Sequence, residues 1–287
     1  MKRLFSTLKT PLLISLLVVS VGMVWPTVAS GRELVGYWPL DGSAKDASGN
    51  NHNGQVKGGG KWVDGKVGKA FHSPEGFSFI RVAMTDKLRF WDKVTVMCWA
   101  YLDFIAEDQY HGLVHKTGPA GPDVDVLHTW WLLVNRNAKG VRRGNLLPWA
   151  SKIAFLIRTL PKPGRGLANT EFRAEAERWY HVAGSYDGQT VRLYVDGQFA
   201  GEGAPFCAPA PCDGPMLENA DTPITIGGEP TRLFGKVDEV AIFHEVLTEG
   251  EIKRAMTKGI LDLLAVDPAG KLATTFGQIK RDYGIAD

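Results

Sequence analysis

Only three cysteines occur in the 287 residues, too few to build a fold on disulfides. Charge of one sign is missing too. Lys and Arg number 33 against 31 Asp and Glu, and no basic stripe gathers them, so the chain offers no field for a nucleic-acid backbone. Long apolar runs are absent beyond the first thirty residues, and nothing downstream has the length to span a bilayer. Catalytic signatures are also lacking: no Gly-x-Ser-x-Gly, no His-Glu-x-x-His, no glycine loop for a phosphate or a dinucleotide. The seven histidines are scattered. His111 and His115 have ligand spacing only on a helix, and HGLVHKTG reads as strand and turn.

What is present begins with MKRLFSTLKTPLLISLLVVSVGMVWPTVAS. Lys2 and Arg3 lead, an apolar run follows from Pro11 to Trp25, and small residues close the segment. This is the layout of a secretory signal peptide over 1–30. An uncleaved N-terminal anchor is the alternative, although the run is shorter than the ~20 residues a spanning helix needs. The segment holds no acid, and without Lys2, Arg3 and Lys9 the net charge falls from +2 to −1. The expected location is secreted, periplasmic or at the cell surface. Such compartments permit disulfides. Cys207 and Cys212 bracket CAPAPC and are the pair able to close that short loop. Cys98, inside VTVMCWAYL, reads as a small core hydrophobe.

Apolar residues make up 44% of the chain, enough for a sizeable core. They fall into many short strand-like runs with turn signals between them. VTVMCWAYL puts Val94, Val96, Cys98 and Ala100 on one face and Thr95, Met97, Trp99 and Tyr101 on the other, as expected of a strand between two layers. RWYHVAGSYDGQTVRLYVDGQ gives two strands joined at Asp187-Gly188 and a second turn at Asp196-Gly197, because Gly takes the positive φ such hairpin turns demand. GKVGKAFHS and FSFIRVAM read as strands broken at Pro74-Glu75-Gly76. The middle, 103–170, carries long Gly- and Pro-rich connections, which in a compact domain are usually functional or disordered.

The period changes after residue 247. Thr248 and Glu251 have capping-box spacing, and Ile252, Met256, Ile260 and Leu263–Leu264 form a helical stripe. One amphipathic helix of about four turns is expected, with Gly259 its weak point. Strands at 8–12-residue spacing and no alternating helices predict an all-β sandwich or barrel. The expected organisation is a 31–247 β-sandwich followed by a helix and tail over 248–287.

The set VGYWPLDG, AKDASGNNHNG, GKVGKAF, VTVMCWAYL, WYHVAGSYDGQTVRLYVDGQ, ITIGG and GKVDEVAIFHEVLTEGEI, in that order across about 34–258, resembles laminin G-like domains of bacterial type. These belong to the concanavalin A-like lectin/glucanase superfamily. The resemblance implies a two-sheet antiparallel jelly roll whose first and last strands lie close together. It also implies a binding domain for glycans or extracellular protein partners, and a structural Ca²⁺ held through the aspartate of the last-strand motif.

That aspartate, Asp238, interrupts the apolar run of GKVDEVAIF, where an aspartate is a poor strand former. If the terminal strands are neighbours, Asp238, Asp41 and Asp46 converge although nearly 200 residues apart. A hard cation such as Ca²⁺ takes six to eight oxygens and would pair the buried charge. The alternative is a hydrogen-bonded Asp238, with Asp46 forming an Asx turn.

A glucanase on this fold would carry Glu-x-Asp-x-x-Glu on one strand. That spacing is absent, and EFRAEAERW reads as a loop. The reading is a non-catalytic carbohydrate- or surface-binding module. A glycan hydrolase or lyase with an atypical acid pair, and a purely structural adhesion or assembly domain, are the alternatives. Aromatic side chains are the expected tool for sugars. Trp130, Trp131 and Trp149 lie in or beside the irregular middle and are the candidates, whereas Trp38, Trp99 and Trp179 read as core. Trp130 and Trp131 are adjacent on a strand, so one of them faces away from the core.

Overall fold

The computed structural model describes residues 33–90, 92–117, 128–137, 148, 150–160, 164–207, 210, 211, 214–217, 222–229 and 231–264. Strands β1 (Leu34–Trp38), β2 (Gly54–Lys57), β3 (Lys61–Asp64), β4 (Lys69–Gly76), β5 (Phe79–Val82) and β6 (Val94–Leu102) come first. The middle holds β7 (His111–Thr117), β8 (His128–Val134), β9 (Ile153–Thr159) and β10 (Gly164–Asn169). Then follow β11 (Trp179–Tyr186), β12 (Val191–Val195), β13 (Gln198–Gly203), β14 (Phe206–Cys207), β15 (Ala210–Pro211), β16 (Ile224–Gly227) and β17 (Leu233–Phe243). Helices α1 (Glu249–Lys258) and α2 (Ile260–Leu264) close the described chain.

The strands form two antiparallel sheets. Sheet A runs β13-β12-β11-β6-β17-β4-β3, with β1 also on β17, and sheet B runs β15-β14-β10-β9-β8-β7-β16-β5-β2. The two-sheet sandwich with a C-terminal helical segment is thus the observed architecture. Among the described residues no helix is long and apolar enough to cross a membrane.

Alternation along each strand decides where the layers meet. On β6, Val94, Val96, Cys98 and Ala100 enter the core between the sheets. Met97 faces the other way and joins a second cluster with Leu34, Tyr37, Ala183, Ala241 and Phe243 of sheet A and Ile252, Ala255, Ile260 and Leu263 of the helices. Apolar residues on both faces of β6 therefore reflect a three-layer stack of sheet B, sheet A and helix. The helix starts as its sequence dictates. The Thr248 hydroxyl accepts the Glu251 N–H and the Glu251 side chain accepts the Thr248 N–H.

Local chemistry also fixes the turns. Asp196 and Gly197 have φ of +51° and +74°, the pair of positive values that a tight hairpin turn uses. The Asp187 carboxylate accepts the Gln189 and Thr190 N–H groups, closing the turn between β11 and β12. Two expectations need correction. The single helix is broken at Gly259, which adopts φ +91° and ψ 160°, outside helical space. The expected break at Pro74–Gly76 is instead the end of β4, which continues to Gly76 on pairing with β17.

Candidate functional site: an acidic clamp on sheet A and an aromatic face on sheet B

The interrupted strand explains itself through topology. β17 pairs with β6 along one side. Along the other it pairs first with β4, through Leu233–Val237, and then with β1, from Val240 to Phe243. Asp238 and Glu239 fall where the partner changes. The β6 register slips between Asp238 and Ala241, and Glu239 takes φ +51°. A bulge of this kind re-aims side chains that regular pleating would send to opposite faces.

One oxygen of Asp238, Oδ2, accepts the Lys66 N–H at 2.8 Å and the Val67 N–H at 2.9 Å. Asp41, just beyond β1, accepts the Lys69 N–H at 2.6 Å. Both acids therefore hold the same turn between β3 and β4. The turn comes close enough only because it is glycine-bearing: a Cβ on Gly65 would lie 2.6 Å from Asp238 Oδ2, and one on Gly68 2.1 Å from Asp41 Oδ1. The Tyr37 hydroxyl donates to Glu239 Oε2 at 2.7 Å. Asp238 is fully buried; its Oδ1 accepts no hydrogen bond of full geometry among the described residues, although the Glu239 N–H also favours the charged carboxylate.

The electrostatics follow from burial. Asp238 is pushed up to about 7, first by desolvation and then by the Glu239 charge, against the pull of its backbone donors. Glu239 is raised by burial, with Asp41 adding to the effect, although the Tyr37 bond works the other way. Among the described residues these are the carboxyls shifted upward. Asp238, Glu239 and Asp41 thus form a negative cluster with one unmatched buried oxygen, which a cation would satisfy. No three His, Cys, Asp or Glu side chains among the described residues are grouped tightly enough to hold a metal ion by themselves.

Asp46 sits apart from this cluster. Its Oδ1 accepts the Tyr37 and Ser48 N–H groups, and its Oδ2 accepts the His52 N–H and the Ser48 hydroxyl. Burial pulls its carboxyl upward, but these donors outweigh burial and hold it below the usual range. Four donors fill the lone pairs of a carboxylate, so Asp46 organises the loop after β1 and has no site left for an ion.

On sheet B the paired tryptophans separate as strand geometry requires. Trp130 is fully buried in the core, with its ring edge-on to Phe90 at 5.8 Å, so its place among the ligand candidates falls away. Trp131 points to the opposite face and stays partly exposed. Its ring lies 5.7 Å from Tyr110 and 6.3 Å from His115, both edge-on, and the Arg136 guanidinium lies 5.4 Å over Tyr110. Tyr110 and Arg136 had no distinguishing signal in the sequence. Trp149 and Cys212 lie outside the described residues, as does the Cys207 side chain.

Other aromatic expectations divide. Trp38 is buried in the core. Trp99 and Trp179 are instead partly exposed on the outer face of sheet A, because the helices cover only part of that face. Lys66 Nζ lies 4.5 Å over the Trp99 ring. His111, His115 and His181 are buried, and burial pushes each down to about 4, so they are neutral packing residues near neutral pH. Cys98 is fully buried and free, its thiol raised chiefly by burial, as befits a core residue.

Known proteins share this architecture. Domain 4 of AbnA, a GH43 extracellular arabinanase from Geobacillus stearothermophilus solved in complex with arabinotriose, matches with a TM-score of 0.52 at 19% identity, over 82% of this chain and 100% of that one. The binding domain of Paraclostridial Mosquitocidal Protein 1 matches with 0.53 at 15% identity, over 79% of this chain and 52% of that one. The binding domain of Botulinum Neurotoxin DC in complex with SialylT matches with 0.54 at 11% identity, over 79% and 51% respectively. No curated protein matches the chain in sequence. A family model described as the concanavalin A-like lectin/glucanases superfamily, Laminin_G_3, matches residues 80–253. With more than half its length matched, and with the two-sheet sandwich in place, the chain belongs to the laminin G-like branch of the concanavalin A-like lectin/glucanase superfamily.

Proposed function

We propose that this protein is a non-catalytic, exported binding module that recognises carbohydrate through the outward face of sheet B, centred on Trp131. The observation that carries the reading is the split between adjacent tryptophans. Trp130 anchors the core, while Trp131 presents its ring beside Tyr110 and Arg136. Flat aromatic rings bordered by fixed polar groups suit the apolar faces and hydroxyl edges of sugars. The similar domains solved with arabinotriose and with SialylT lend support to a sugar over other ligands. Similar toxin domains also engage protein, one being solved with rat synaptotagmin II, so an extracellular protein is the competing partner.

The decisive experiment is a glycan array on the chain from residue 31, with Trp131→Ala alongside. Binding lost in the variant supports the reading. Binding that survives it, or a parent bound only to protein, overturns it.

A structural Ca²⁺ belongs to the same proposal. Asp238, with its unmatched buried Oδ1, is the primary ligand, and Asp41 and Glu239 supply the surrounding negative charge. Asp46 is excluded because its oxygens are already occupied. Added Ca²⁺ should raise the melting temperature of the parent and leave Asp238→Ala unmoved. A parent indifferent to Ca²⁺ and to chelator removes the ion. Export itself is checked by the mass of the secreted chain, which should begin close to residue 31.

A further inference from the structure

Aromatic surface does not end at Trp131. The loop between β6 and β7 carries Tyr110 at one end and Phe104 at the other. Tyr110 is tied to the segment leading into β17, because the Arg232 N–H donates to the Tyr110 carbonyl at 3.2 Å and the Gly112 N–H donates to the Arg232 carbonyl at 3.1 Å. That backbone pairing brings Phe234 up to the same rim. Its ring lies 5.9 Å from His111 and 4.6 Å from Phe104, the latter pair tilted by only 30°. The Arg232 guanidinium lies 3.7 Å over the ring of Phe77.

Two of these rings stay largely open to solvent in spite of those contacts. Phe77 is 60% exposed and Phe104 48% exposed, and both sit in connections where small or polar residues are the usual occupants. Exposed rings gathered at one place mark an interaction surface. Its chemistry favours a sugar over a protein. The large exposed apolar residues at this rim are aromatic, with Arg232 and the His72–Asp103 pair (2.7 Å) interleaved among them. A protein helix would call for a continuous apolar groove.

We propose that the carbohydrate site continues from Trp131 and Tyr110 over the edge of the sandwich to Phe234, Phe104 and Phe77, so that the ligand is an internal stretch of a polysaccharide and not a single terminal sugar. This rests on the Trp131 reading and extends it. Arg232 supplies a planar donor group between the rings, oriented by its stacking on Phe77.

The test uses the chain from residue 31 in affinity electrophoresis against debranched arabinan, laminarin, xyloglucan, alginate and chondroitin sulfate, followed by calorimetry with the trisaccharide of whichever polymer retards it. The F77S/F104S double variant should lose about tenfold in polymer affinity while keeping its affinity for the trisaccharide. W131A should lose both. Arg232→Gln, which keeps the backbone bonds, guards against a folding artefact and should also weaken the polymer alone. An F77S/F104S protein that binds polymer like the parent, with an unchanged melting temperature, overturns the extended site and leaves the Trp131 reading standing. A parent retarded by none of the polymers, or a W131A protein that binds them normally, overturns both.

Discussion

Asp238 accepts the backbone N–H of Val67 at 2.9 Å across 171 residues of chain. The bond joins the last strand to the turn between β3 and β4, and Asp41 joins that same turn to the end of β1. An aspartate inside an apolar run is thus a clamp placed where β17 changes partner. The backbone N–H groups of Lys66 and Val67 belong to no ladder, and the acid supplies the acceptor they lack.

Asp238→Ala removes that acceptor. The expected loss is about 1–3 kcal/mol, the usual cost of leaving partly buried donors unmatched, read as a lower urea midpoint. Asp238→Asn keeps an amide oxygen for the two donors and removes the buried charge. In chelator at pH 8 it should be at least as stable as the parent. Equal losses in the two variants would show that the hydrogen bonds are not the source of the effect.

Acid should weaken the fold through its buried histidines. His111, His115 and His181 are held near 4 by burial, below the ~6.5 of an exposed imidazole. Between those values the unfolded chain binds protons that the folded chain refuses, so stability is full above about 6.5 and falls as the pH drops toward 4. Asp238 works in the opposite sense. Its raised pKa gives a contribution present on the acid side and lost as pH rises from about 4 to about 7. An Asp238→Asn background therefore removes that opposing contribution. Urea midpoints in that background should fall steadily on acidification, and His181→Phe should flatten the slope. A profile level between pH 6.5 and pH 4 would contradict the argument.

Close approach of the two sheets makes one glycine irreplaceable. A Cβ on Gly184 would lie 2.2 Å from Cγ of the fully buried Phe155. Gly184→Ala forces the sheets apart or the ring off its rotamer and should cost about 1–3 kcal/mol. Gly250 gives the contrast: it sits exposed in α1 with no atom within 4 Å of a built Cβ. Gly250→Ala should stabilise the protein by about 0.5–1 kcal/mol through helix entropy alone. Thermal denaturation of the pair would reverse the argument if their order were inverted.

Features written into a few consecutive residues are legible in the sequence. The Thr248–Glu251 capping box, the Asp196–Gly197 turn and the double-faced β6 all depend on neighbours in sequence, and all three appear as expected. Features that depend on what another part of the chain does are not. Trp99 looks like core in VTVMCWAYL, yet its exposure is decided by how far the helices reach across sheet A. DASGNN offers oxygens that suit an ion, but whether Asp46 is available turns on the Tyr37 N–H arriving from β1. Glu239 carried no mark at all, since its positive φ exists only because β17 bulges against β6.

Adjacent tryptophans give the sharpest separation of stability from recognition. Trp130 is sealed between the sheets against Phe90, and Trp130→Ala leaves a cavity worth about 3–5 kcal/mol. Trp131 is partly exposed on the opposite face beside Tyr110, so Trp131→Ala should cost less than half as much in stability. Binding should respond in the reverse order at a temperature where both variants are folded: Trp130→Ala retains glycan affinity, and Trp131→Ala loses it. Thermal denaturation and calorimetry on the same two preparations decide the matter, because the two effects cross. If both variants lose stability and affinity in proportion, recognition is only a consequence of folding, and Trp131 makes no direct contact with the ligand.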